Sequence, residues 1–188
     1  MWYPSTLATP SPEPITASQC KLQLQIDDTD STWDSLLAIY ISAAREFVEN
    51  WTGTRIASRA SVTLRCDSFD DFACVAEGPL SSVAAITYID VDGATQTLAT
   101  SVYEVRADGL ETAIVLKQNQ SWPATQPGSR IAVVATIGFA SVPPMALAAM
   151  MLLIGQWFAN REATNVGNIV TEMPLGFSAL LVNLRRNA

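Results

Sequence analysis

Apolar positions recur at helical spacing near the two ends of the chain and at strand spacing through its middle. The strongest stripe is Trp33, Leu36, Leu37, Tyr40, Ile41, Ala44, Phe47, Val48 and Trp51. These residues keep the three-and-four spacing of one helix face and predict a single long helix. Arg45, Glu46, Glu49 and Asn50 fall off the stripe, and Gly53 stands where a glycine ends a helix. Ser31 with Asp34 is expected to cap its start. Upstream, Thr16 and Gln19 have the spacing of a capping box. That box opens a short helix to about Gln25, with Leu22 and Ile26 on one face. The acidic loop Asp27-Asp28-Thr29-Asp30 joins the two helices.

From Arg59 to Phe139 the period falls to two. Val62, Leu64 and Cys66 alternate with polar neighbours, and Val83 to Val91 reads as a strand after the turn Glu77-Gly78-Pro79-Leu80. Asp92-Gly93 and Asp108-Gly109 are hairpin dipeptides. The second would join Val102–Arg106 to Thr112–Leu116. Arg130 to Phe139 forms a last strand after a loop with Pro123 and Pro127. Pro144 then fits the first position of a third helix, whose stripe is Leu147, Met150, Met151, Ile154, Trp157, Phe158 and Arg161. A polar loop, Thr164 to Pro174, precedes a short helix from Gly176 to Leu184 with Phe177, Leu180, Leu181 and Leu184 on one face.

The fold class read from this order is α+β. A helical layer, the long helix packed on the late one, carries an inserted small antiparallel sheet or sandwich and a short C-terminal helix. The expected organisation is an extended proline-rich arm at 1–14 and a main domain at 15–163. Its β insert spans about 59–139, and a loop and terminal helix occupy 164–188. The helical layer is expected to be held by Trp33, Leu36, Leu37, Tyr40, Ile41, Phe47, Trp51, Leu147, Met151, Ile154, Trp157 and Phe158.

Composition narrows the function. Hydrophobic residues are 49% of the 188 and charged residues 15%, so disorder over most of the length is excluded and some apolar surface is left for a partner. Eleven bases against eighteen acids give a net charge of −7, which does not suit a surface that grips phosphates. Histidine is absent, which removes histidine general-base, nucleophile-activating and metal-ligating chemistry. Cys20, Cys66 and Cys74 lack metal spacing and read as reduced thiols. Met1 to Pro14 lacks the charge and apolar run of a signal peptide. Val142 to Ala159 is apolar enough to be mistaken for a membrane span, but it opens on two prolines and holds Gly155 and Gln156, so a buried helix of an assembly is expected.

No other constellation carries strong chemistry. Asp27, Asp28 and Asp30 lack the spacing of a calcium loop and read as a capping loop. Asp67, Asp70 and Asp71 could serve as paired carboxylates only if they shared a cleft. Catalytic, cofactor and metal sites are therefore expected to be absent.

The order of motifs resembles the head-to-tail connector, or adaptor, proteins of long-tailed bacteriophages, prophages and gene-transfer particles. Ile15-Thr16, Lys21, Leu24 and Ile26-Asp27 match the family's opening segment. Leu36-Leu37, Ile41, Ala43 to Glu49 and Thr52-Gly53 match its long helix. Gly78 to Val83, Ile86 to Asp90, Tyr103 to Val105, Trp122-Pro123, Val133 to Pro144 and Ala146 to Ala163 follow in order, and Pro174 to Leu181 closes the match.

The resemblance implies a non-enzymatic structural protein of the virion neck, assembled in the bacterial cytoplasm. Twelve copies would form a ring beneath the portal protein, pass contacts to the next neck or tail-completion protein, and let DNA through without reading its sequence. It implies no membrane partner. It also implies that a C-terminal segment docks on the portal, here Leu175, Phe177, Leu180, Leu181, Leu184, Arg185 and Arg186, on a stripe too short to fold well alone. Three alternatives stay open: a head-closure protein one ring lower, a small β-type module binding a ligand through Trp122 and Tyr103, and an enzyme using Asp67, Asp70 or Asp71.

Overall fold

A computed structural model of the chain describes residues 1–3, 10, 12–160 and 175–186. Arg161, the loop from Thr164 to Pro174 and residues 4–9 and 11 of the proline-rich arm lie outside the described residues. Two compact units result. Met1–Ser11 and Ala57–Ser141 form a β unit; Pro12–Ile56 and Val142–Ala188 form a helical unit.

In the helical unit, α1 spans Ala17–Leu24 and starts at the expected capping box, with Thr16 and Gln19 each satisfying the other's backbone N–H. It stops at Gln25, whose left-handed φ of 57° turns the chain. Ile26 therefore leaves the helix, and Leu22, expected to share a face with it, is 81% exposed. Cys20 and Lys21 face the core instead. Helix α2 spans Asp34–Thr52 and ends at Gly53 in the left-handed conformation, as its C-terminal signal requires. The expected Ser31 cap is corrected. Trp33 takes the cap position without a side-chain bond, and the Ser31 carbonyl accepts the Asp34 N–H at 3.3 Å. The Trp33 ring is drawn onto Phe158, edge to face at 5.4 Å.

Helix α3 spans Pro144–Ala159 with proline at its start, and α4 spans Leu175–Leu181 before a 3₁₀ turn, Val182–Leu184. The one terminal helix expected over 176–184 is thus two segments. Leu37, Ile41, Ala44 and Val48 of α2, Met150 and Ile154 of α3, and Phe177 and Leu181 form one core. Trp33, Tyr40, Phe47, Trp51, Leu147, Met151, Trp157 and Phe158 pack partly buried around it, and Leu36 is half-buried.

The β unit holds a five-stranded sheet ordered β1-β2-β7-β3-β4. Its strands are β1 (Trp2–Tyr3), β2 (Arg59–Cys66), β3 (Leu80–Ile89), β4 (Thr95–Thr97) and β7 (Ile131–Ile137). The hairpin β5 (Tyr103–Asp108) and β6 (Glu111–Leu116) turns at Asp108–Gly109 and forms a second, two-stranded sheet. Central β7 buries every second residue, Ile131, Val133, Ala135 and Ile137. Tyr103 and Ile114 of the hairpin close on the same core. Gly138 ends β7 at a φ of +93°, and a Cβ there would lie 2.2 Å from the Ala57 carbonyl oxygen, so only glycine lets these backbones pass.

Core substitutions, thiol labelling and pH test this packing. Leu37 is fully buried. Leu37→Ala should cost about 2–5 kcal/mol in urea unfolding, and Leu37→Asp should abolish soluble expression. Phe177→Ala should destabilise the helical unit by about 3–5 kcal/mol. An unchanged midpoint would detach α4 from this core. A thiol reagent at pH 8 should modify exposed Cys74 at once, and Cys20 and Cys66 only on unfolding, because burial pushes their thiols up to about 11 and about 12. The unfolded thiols ionise near 9.0 while the folded ones stay protonated, so stability should fall as pH rises above that value.

Candidate docking surface

The C-terminal segment lies on its own helical unit and does not need a partner to find a core. Phe177 meets Phe47 and Trp51 edge to face at 5.6 and 5.9 Å. Leu181 is fully buried, and Leu180 and Leu184 pack partly buried beside it. Two hydrogen bonds latch the end of the segment to the end of α2. The Thr54 hydroxyl donates to the Leu184 carbonyl at 2.8 Å, and the Arg186 N–H donates to the Thr52 carbonyl at 2.8 Å. The Arg185 guanidinium stands 5.6 Å over the Trp51 ring. Of the seven residues expected to dock, Phe177 and Leu181 are therefore internal, and Leu180, Leu184, Arg185 and Arg186 retain exposure. Leu175 begins α4, and its side chain is outside the described residues.

Arg45 and Glu49, which fall off the apolar stripe, are each only 2% exposed. Arg45 Nε donates to Glu13 at 2.9 Å, Nη2 to Ser42 at 3.1 Å, and Nη1 to Glu49 at 3.4 Å. Glu49 also accepts the Ile56 N–H at 3.1 Å and has Arg55 at 3.7 Å. The pair sits four residues apart, on a helix shoulder that the apolar stripe leaves uncovered, and the incoming arm covers it with Glu13. The sequence signal was the i,i+4 Arg–Glu pair inside the long-helix motif. Nothing in a one-dimensional reading located Glu13 opposite it.

The acidic clusters serve the chain's own turns. Asp27 accepts both Thr29 groups, and Asp30 accepts the Thr32 N–H. These bonds hold both carboxyls below the ordinary range. Lys21 closes the loop on Asp34 at 2.7 Å and on the Asp28 carbonyl at 3.1 Å. Asp71 forms a capping box with Ser68 at the 3₁₀ turn Phe69–Ala73 and accepts the Asp67 N–H. Asp67 takes the Tyr3 hydroxyl at 2.7 Å, and Arg130 lies 3.8 Å over the Tyr3 ring. Trp122, weighed as a ligand platform, is stacked on Phe69 at 4.8 Å and 2°, and Tyr103 is 5% exposed. Among the described residues, no group of three or more cysteine, aspartate or glutamate side chains is placed to hold a metal ion. No described helix is long and apolar enough to cross a membrane.

The outer sides of the helices differ from these paired clusters. Met145 and Leu152 on α3 and Ile39 on α2 are 48%, 47% and 64% exposed, and Val182 after α4 is 59% exposed. The surface best fitted to macromolecular contact is thus carried by the helical unit.

The solved structures of similar fold share this architecture. A chain from the neck of an empty GTA particle, computed with C6 symmetry, aligns at TM-score 0.74 and 20% identity, over 100% of this chain and 96% of that one. A chain from the virion of a native gene transfer agent particle aligns at 0.73 and 20%, with the same coverages. A chain from the neck of a native GTA particle, computed with C12 symmetry, aligns at 0.64 and 22%, over 93% and 94%. No curated protein matches the sequence. The family model described as phage gp6-like head-tail connector protein matches residues 14–125, and by that match over more than half of its length the chain belongs to this family: it is a structural protein of the neck that joins head to tail.

Proposed function

We propose that copies of this chain pack side by side into a twelve-membered ring between the portal and the next neck or tail-completion protein, and that DNA passes through the ring. The observation that carries this reading is the family match, joined to a fold shared over 93% of the chain with a protein of a neck computed with C12 symmetry. The net charge of −7 suits a conduit, since an acidic wall repels phosphates and lets the duplex slide. Assembly takes place in the host cytoplasm, where the free cysteines stay reduced.

The C-terminal segment docks on the portal with α4 still seated on its own unit. Phe177 and Leu181 root the segment. Leu180, Leu184, Arg185 and Arg186, following Leu175 on the same segment, make the contact. The arginines set register and association rate against portal carboxylates more than they add affinity. Many weak contacts repeated around one ring then add up through avidity.

The double variant Arg185→Glu, Leu180→Ser should stay folded and soluble but bind the portal at least tenfold more weakly, leaving filled heads without tails. Binding is read by cosedimentation with portal rings and the particle phenotype by electron microscopy. Wild-type assembly by this variant would remove the docking role. A neck lacking this chain would remove the ring reading itself.

A further inference from the structure

We propose that the outward face of α3 is the contact through which one copy of this chain seats against α2 of the next copy; the proposal rests on the ring reading above. Helix α3 carries no ionisable side chain, and Gln156 and the Trp157 indole are its side chains with a hydrogen-bonding N–H. Its inner side, including Met150, Leu153 and Ile154, belongs to the helical core. Its outer side presents Met145 and Leu152, seven residues apart, with exposed Ala148 between them. A helix apolar all round belongs in an interior, and Met145, Ala148 and Leu152 of this one are exposed among the described residues.

Gly155 continues the same outer face three residues beyond Leu152. A Cβ built there meets nothing within 4 Å among the described residues, so no contact among them calls for glycine. Glycine weakens a helix interior relative to alanine, and its use here fits a neighbouring helix brought up to the backbone.

Charge selects the occupant. Each copy carries −7, and a contact made by uncharged faces avoids like-charge repulsion between copies. DNA finds no cation on α3. A ring contact is heterologous, so one subunit must present two different complementary faces. A second exposed apolar position is on α2, where Ile39 is 64% exposed, with half-buried Leu36 and Ala43 close by on the same side. A face of Met145, Ala148 and Leu152 with a glycine beside it can receive the Ile39 side chain of the next copy at close range.

The test uses the full chain with portal rings, in a Cys74→Ser background. Leu152→Cys combined with Ile39→Cys should be joined by a short bismaleimide into a ladder of covalent multimers, and neither single variant should form the ladder. Gly155→Trp should melt like the wild type as a free chain but form rings on the portal at least tenfold less. Rings of wild-type yield from Gly155→Trp, or no ladder from the double-cysteine chain on wild-type rings, would overturn the surface and leave the ring reading standing. Dimers from Leu152→Cys alone, or its cross-link to the portal, would also overturn it, assigning α3 to a two-fold contact or to the portal. If the wild type forms no ring on the portal, both readings fall together. Should Gly155→Trp fail to fold, the double-cysteine ladder decides alone.

Discussion

A guanidinium buried in the middle of α2 is the constraint on which the helical unit depends. Arg45 is almost fully enclosed, and a buried charge without partners costs several kcal/mol. Its partners come from two places: the arm supplies Glu13, and α2 itself supplies Ser42, Glu46 and Glu49; Glu49 in turn holds Arg55 and the Ile56 N–H. The network fixes where the chain enters the unit and where it leaves. Apolar packing elsewhere on α2 is interchangeable within limits of volume. This network is not, because each partner removed strands a charge.

On the other side of α2 the same helix runs an aromatic seam. Trp33, Tyr40, Phe47 and Trp51 meet Phe158, Trp157 and Phe177 at edge-to-face angles. Such pairs add about 0.5–1.5 kcal/mol each beyond their buried area. The seam draws in α4, a helix too short to stand by itself. A segment that would otherwise fray becomes a fixed platform, and its outer residues are presented in a defined register.

Much of this was legible in the sequence, and the parts that were not share a cause. The period of three and four located α2 and α3, Thr16 with Gln19 located the start of α1, and Asp108-Gly109 located the hairpin. These signals are local, so a linear reading recovers them. Arg45 and Glu49 stood only as positions off the apolar stripe, because burial of the Arg45 charge depends on Glu13, thirty-two residues away in sequence. Trp2 and Tyr3 pair with Cys66 and Arg65, and no two-residue strand carries a period. The turn at Phe69–Ala73 hid within an acidic cluster whose carboxyls cap the backbone. In the docking set, the helical spacing of Phe177, Leu180, Leu181 and Leu184 was visible. Which of them faced inward was decided by Trp51 and Phe47.

The β unit interrupts the helical unit in sequence: α1 and α2 precede it and α3 and α4 follow. A ribosome therefore releases the aromatic stripe of α2 well before the helices that cover it. At about 5–20 residues per second, the delay amounts to several seconds of synthesis. Through that interval the nascent chain carries an uncovered Trp and Phe ridge. Vectorial translation thus sets a sequence of events that the finished subunit conceals: the sheet can close early, and the helical unit is sealed only as the last helix leaves the exit tunnel.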